Sequence, residues 1–291
     1  MSTAGQVLAS SRPLSWINTA FPFGAAYLLA GGGLDVAFWV GCVWFLVPYN
    51  LAMYGINDVF DYESDLRNPR KGGVEGIVLD RRIHRVTIWA AVVTNVPFVV
   101  ALALMGSAAS NLVLAVSVFA VLAYSVPVLR FKERPFLDSV TSSTHFVSPA
   151  VFALALADAR GASVEVDSTM VLALAGFFAW GVGSHAFGAV QDVTADRAAG
   201  IGSIGTALGA RNTTIFALAA YVVGGLCLLA LPWPGTLAAL LAVPYIVNIA
   251  PYVSITDETC ERANVAWRRF LGLNYASGFL VTQLLIWIAL T

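Results

Sequence analysis

The chain has 291 residues, 58% hydrophobic and 11% charged, with a mean hydropathy of +0.78 and a formal net charge of −1. Soluble domains carry about 25% charged residues, so an ordinary soluble domain is excluded, and no nucleic-acid partner is expected of so uncharged a chain. Cys42, Cys227 and Cys260 stand far apart, which excludes a disulfide framework or a zinc-ligand spacing.

Apolar runs fall at residues 14–31, 36–56, 86–105, 111–128, 137–157, 169–190, 213–232, 236–254 and 270–290. Each is close to the length that a helix needs to cross about 30 Å of hydrocarbon. They are too long and too uniformly apolar for barrel strands. The expected fold class is therefore all-α: a polytopic membrane protein with nine transmembrane helices in one bundle, a single domain over 1–291. The N-terminus has no basic n-region and the first run is followed by eight more, so it is expected to be a retained helix rather than a cleaved signal.

Basic residues set the expected orientation. Fifteen of the 16 Lys and Arg residues, from Arg12 through Arg130, Lys132 and Arg134 to Arg268 and Arg269, fall in one set of loops. The other side holds only Arg160, beside Asp158, Glu165 and Asp167. A cytoplasmic (cell) membrane location follows, with the N-terminus in the cytoplasm.

At the end of the second run lies Asn57-Asp58-Val59-Phe60-Asp61-Tyr62-Glu63-Ser64-Asp65. On a helix, Asn57, Asp61, Asp65 and Asp58 fall at roughly 0°, 40°, 80° and 100°, all on one face. After the sixth run, Asp192 and Asp196 repeat the pattern one turn apart. Acids on one face at a membrane edge point to function, and a bound hard cation explains both clusters. Mg²⁺ takes oxygen ligands and is usually shared with substrate phosphates. Asp58, Asp61, Asp65, Asp192 and Asp196 are the candidate metal ligands, opening to the cytoplasm. Five carboxylates with a diphosphate outweigh two divalent ions, so nearby cations are needed. Arg70, Lys71, Arg130 and Lys132, together with Asn57, are the candidate diphosphate contacts. The fifth run carries a polar stripe of Asp138, Thr141, His145 and Ser148, and Tyr54 sits one turn deeper than Asn57. Tyr54, Thr141 and His145 are candidate cavity residues, and the Tyr54 ring could stabilise a cation.

These residues resemble a known family. Asn57-x-x-x-Asp61-x-x-x-Asp65 and Asp192-x-x-x-Asp196 are similar to the two Asp-rich motifs of the UbiA superfamily of intramembrane prenyltransferases. Arg12-Pro13, Asn68-Pro69-Arg70-Lys71 and Tyr124-Ser125-Val126-Pro127-x-x-Arg130-x-Lys132 resemble that family too. Within it, residues 11–20, 54–76, 130–149 and 188–211 look most like bacterial lycopene elongases of fifty-carbon carotenoid pathways. The resemblance implies a single transmembrane prenyltransferase domain in which Mg²⁺ ionises dimethylallyl diphosphate. The terminal double bond of lycopene captures the allylic cation, and the resulting cation loses a proton or takes up water. Asp61, Asp65, Asp192, Asp196 and His185 then become the catalytic candidates. Many relatives carry an Asp seven residues before the second motif and an aromatic residue four before it. This chain has His185 and Gly188 there, which suits an acceptor with no hydroxyl or carboxylate to orient. Gly188 is expected to make room for it.

Two other readings remain open: the same chemistry on an aromatic or quinone precursor, and a transporter. A transporter would place ionisable residues near the bilayer midplane, whereas here nearly all acids sit at one end of the spans.

Overall fold

The computed structural model of the protein describes residues 1–66 and 77–291. Every regular element among them is helical. The chain divides into two compact units, residues 1–130 with 145–164 and residues 131–144 with 165–291.

The first unit opens with helix α1 (Thr3–Ser10) and α2 (Ile17–Leu29). Asp35 caps α3 (Val36–Phe60) by accepting the Phe38 amide at 2.9 Å. This span is not a uniform α-helix. Pro48 has no N–H to give the ladder, and residues Leu51–Gly55 form a π-helical turn. The freed carbonyls find side-chain partners. Asn50 Nδ2 donates to the Phe45 carbonyl at 2.7 Å and to Thr19 Oγ1 at 2.8 Å, and Asn95 Nδ2 donates to the Pro48 carbonyl at 2.7 Å. A short α4 (Tyr62–Asp65) follows, then α5 (His84–Met105), α6 (Ala108–Ser125) and α7 (Leu137–Ala159). Phe23, Tyr27, Trp44, Phe45, Tyr49 and Phe152 form the aromatic centre of this unit.

The second unit begins in the first turns of α7 and continues with α8 (Ser168–Val190), α9 (Val193–Ala199), α10 (Ile204–Leu229), α11 (Ala242–Ile249) and α12 (Asn264–Leu290). Helices α8 and α10 pack backbone against backbone: a Cβ added at Gly176 would lie 3.1 Å from the Gly224 carbonyl oxygen. Small residues permit that approach inside a bilayer, where dispersion replaces hydrophobic driving force. The buried aromatics Tyr221, Tyr245 and Phe270 close the core.

Among the described residues eight helices are long and apolar enough to cross a membrane, and the first expected span appears as the shorter apolar α2. The protein is a multi-pass, all-helical membrane protein. The expected boundaries shift where a helix start is strongly capped. A first turn from Ile204, capped by the Ser203–Thr206 box, precedes the seventh span, and a break at Gly209 separates it from the stretch that runs on to Leu229, close to the expected start near 213.

Candidate active site

In the first unit the π turn places Tyr54 below the acidic motif. The α-helical ladder of α3 stops at Phe60 and α4 starts at Tyr62, so the motif does not lie on one unbroken helix as the periodicity predicts. Four-residue hydrogen bonds nevertheless bridge the break, from Asp61 N–H to the Asn57 carbonyl at 2.9 Å and from Asp65 N–H to the Asp61 carbonyl at 2.8 Å. Asp58 and Asp65 are buried, while Asn57 and Asp61 are half-buried.

Two arginines from separate loops meet these carboxylates. Arg12 Nη2 donates to Asp58 Oδ1 at 3.3 Å, and its guanidinium lies 4.3 Å from the centre of the Tyr54 ring. Burial works against the charge of Arg12, but Asp58, then Tyr54 and Asp65, hold its pKa above the usual arginine value. Arg130 Nη2 lies 3.7 Å from Asp61 Oδ1. Both arginines have left-handed backbones, with φ of 52° and 40°, a conformation that costs an L-residue about 1–2 kcal/mol. Asn57 Oδ1 accepts the Ser125 hydroxyl at 3.0 Å, which ties the motif to the end of α6. His145 is buried on α7 with its ring edge-on to Tyr124, centroids 5.2 Å apart.

Arg12 was not among the sequence-derived site residues. Its signal is the Arg12-Pro13 dipeptide at the start of an apolar run, which resembles the family without announcing a partner. Arg70 and Lys71 lie outside the described residues.

In the second unit Asp192 stands at the junction of α8 and α9 as the residue before the first turn of α9. Asp196 follows one turn later, its amide donating to the Asp192 carbonyl at 2.8 Å and its Oδ2 accepting the Ser203 hydroxyl at 3.4 Å. Lys132 lies half-buried in the turn Phe131–Glu133, and Thr141 is buried on α7. His185 Nδ1 is 3.1 Å from Ser139 Oγ. Asp138 stands behind this pair, accepting the Ser139 amide at 2.7 Å and its hydroxyl at 3.3 Å through Oδ1. Its Oδ2 accepts the first amide of α10, Ile204 N–H, at 2.7 Å. Asp138 therefore braces the start of α10, a role that the stripe pattern does not reveal. At Gly188, a Cβ would lie 3.0 Å from the ring of Trp267. The glycine thus admits the Trp267 ring of α12.

Each motif contributes carboxylate oxygens from short helical segments, the hard donor type that suits Mg²⁺. Among the described residues no three or more acidic, His or Cys side chains form a ready-made cage.

The model of the UbiA prenyltransferase family matches residues 19–277. The chain is 56% identical over 96% of its length to the C(50) beta-cyclic carotenoids biosynthesis protein LbtBC of Dietzia sp., of which it spans only 63%. It is 50% identical to the lycopene elongase/hydratase of Corynebacterium glutamicum, with 96% of each chain covered. In fold it is similar to a UbiA homologue from Archaeoglobus fulgidus bound to DMAPP and Mg²⁺, with a TM-score of 0.66 at 15% identity, covering 94% of this chain and 98% of that one. The apo UbiA homologue from Aeropyrum pernix gives 0.62 at 17% identity, covering 97% and 99%. Two acidic helix ends on an all-helical membrane scaffold, together with these likenesses, lead to one conclusion: the chain belongs to the UbiA prenyltransferase family and is a membrane-embedded prenyltransferase.

Proposed function

We propose that the protein transfers a dimethylallyl group from dimethylallyl diphosphate to the terminal double bond of lycopene. The observation that carries this reading is the 50% identity to a lycopene elongase/hydratase across 96% of both chains. The whole chain acts as one transferase domain in this reading, since the family match runs through both units.

Carboxylates of both motifs would hold Mg²⁺, which when bound supplies charge neutralisation to the leaving diphosphate. The allylic C–O bond breaks with its electron pair leaving on the diphosphate. Arg130 and Lys132 contribute cationic hydrogen-bond donors to that group. The π-electrons of the acceptor's terminal double bond form the new C–C bond and leave a tertiary cation. That cation loses a proton to give an alkene, or adds water and then loses a proton to give an alcohol. The Arg12 guanidinium 4.3 Å from the centre of the Tyr54 ring supports reading this position as one where positive charge meets an aromatic ring. The basic loops face the cytoplasm, where a charged diphosphate is available.

The test is purification in detergent and assay with dimethylallyl diphosphate, lycopene and Mg²⁺. Products heavier by one or two five-carbon units are expected, with the polyene absorption nearly unchanged because addition occurs outside the conjugated system. EDTA, Asp61→Asn or Asp192→Asn should each abolish turnover. Unaltered lycopene, together with prenylation of an aromatic acid, would move the assignment to an aromatic acceptor.

A further inference from the structure

We infer that the connection between α11 and α12 positions the second acidic motif, with Asp257 as the positioning residue. This rests on the reading of Asp192 and Asp196 as ligands of the divalent cation.

Helix α9 is seven residues long, too short to hold its shape without outside contacts. With Asp192 at 0°, Asp196 falls at about 40°, whereas Thr194 and Arg197 fall at about 200° and 140°. The back of the helix is therefore carried by Thr194 and Arg197, and both are gripped by Asp257. Thr194 Oγ1 donates to the Asp257 carbonyl at 2.8 Å, and Arg197 Nη1 is ion-paired with Asp257 Oδ2. Arg197 Nη2 donates to the Thr206 carbonyl at 3.1 Å. The other oxygen of the same carboxylate, Asp257 Oδ1, accepts the Ala210 amide at 2.6 Å. That amide is freed because Gly209 breaks the α10 ladder with φ 75° and ψ 164°. A Cβ at Gly209 would sit 3.1 Å from Asp257 Oδ1, so the glycine serves the clamp as well as the kink. One turn upstream, Asn264 Nδ2 donates to Gln191 Oε1 at 2.6 Å, beside Asp192. The loop is itself stiffened by the Thr256–Thr259 capping box.

Two consequences follow. The clamp fixes the azimuth of α9 and so the aim of Asp192 and Asp196. It also ties down Arg197, the neighbour of Asp196, whose long cationic side chain would otherwise compete with a metal ion for the motif carboxylates.

The experiment uses the full-length protein in detergent. Mn²⁺ is titrated in the presence of inorganic pyrophosphate, with free Mn²⁺ read by electron paramagnetic resonance, and Mg²⁺ activation of turnover is measured alongside. Asp257→Ala should weaken Mn²⁺ binding about tenfold, the usual scale for a residue that orients metal ligands. Its Mg²⁺ half-saturation should rise by the same factor, with kcat largely recovered at saturating Mg²⁺. The double variant Arg197→Ala/Asp257→Ala should bind Mn²⁺ more tightly than Asp257→Ala alone. Thr194→Val, nearly isosteric and expected to fold if Asp257→Ala does not, should weaken binding about threefold. Wild-type Mn²⁺ affinity in folded Asp257→Ala or in Thr194→Val, or activity that excess Mg²⁺ does not restore, overturns the inference. Turnover by the wild-type protein in EDTA, with no Mn²⁺ bound, would overturn the metal reading beneath it.

Discussion

Asp58 has a side chain with no exposure, and the Arg12 side chain opposite it is 21% exposed. Truncating one partner of such a pair strips a desolvated charge of its counter-charge, which costs about 3 kcal/mol or more, while replacing both with apolar groups is often neutral. Arg12→Leu should therefore lower the unfolding temperature in detergent, and Arg12→Leu/Asp58→Leu should regain most of the loss while remaining inactive. Equal stability of Arg12→Leu and wild type would remove the pair from the account of the fold. A second residue-scale expectation concerns the proton lost after coupling. Both oxygens of Asp138 accept backbone amides, from Ser139 and Ile204, and Oδ1 also accepts the Ser139 hydroxyl proton. The Ser139 oxygen then accepts from His185 Nδ1–H, which makes Nε2 the basic nitrogen of the ring. Ser139→Ala should keep diphosphate release but lower the yield of coupled product per diphosphate released. An unchanged ratio would give the proton to another group. The acidic motifs were legible because carboxylates in an apolar chain are rare. The Arg12–Tyr54–Asp58 contact was not, since a left-handed backbone at Arg12 leaves no periodic trace. The Ser139 link was missed for another reason: a serine on an apolar helix reads as packing.

Helices α2 and α3 are pinned together at one end by Asp35. Its carboxylate accepts the Phe38 amide at 2.9 Å, the Arg160 guanidinium at 2.9 Å and the Tyr27 hydroxyl at 3.2 Å. Burial alone would raise its pKa, but these donors together hold it below the ordinary carboxylate value. A carboxylate with a lowered folded pKa stabilises fully above its unfolded value of about 3.9 and loses that contribution as the pH falls through the folded value. The pair is partly exposed, so the contribution is small and screened. Thermal unfolding between pH 6 and pH 3 should show a fall in stability below about pH 4 that is shallower in Asp35→Ala. The variant should also lose about 1 kcal/mol at neutral pH with the helix cap. Identical pH profiles would show that other acids dominate. The span itself was legible from hydropathy. Its π turn was not, because counting 100° per residue presumes an unbroken α-helix. Pro48 with Asn50 in an apolar run was the available signal, and Asn95, which meets them, lies far away in sequence.

At the scale of the whole molecule, hydropathy located the eight long apolar helices among the described residues, and capping chemistry moved some of their ends. The first expected span shrank to the 13 residues of Ile17–Leu29. It is preceded by the left-handed Arg12 and the short turn Pro13–Ser15, which carry the chain out of a straight helix. Eight helices among the described residues are long and apolar enough to cross, while the alternation of loops still rests on α2 crossing the membrane. Charge provides the independent check. In the sequence all the Lys and Arg residues except Arg160 gather at the same ends of the apolar runs only if the first run crosses, and Arg160 faces Asp35 in the loop that follows α2. If α2 did not cross, Arg12 would fall on the same side as Asp35 and Arg160, and the division of the 16 basic residues would be 14 to 2 rather than 15 to 1. Single cysteines in a background lacking Cys42, Cys227 and Cys260 test this directly. Positions Arg81 and Arg268 are exposed on the basic side, and Val166, 77% exposed, represents the other without disturbing the Asp35–Arg160 pair. A membrane-impermeant thiol reagent applied to intact cells should label Val166→Cys alone. A cysteine replacing Gln6, ahead of α2, should stay protected until the membrane is opened. Labelling of that position from outside would show that α2 lies in the interface, and the number of crossings would fall to the eight long helices.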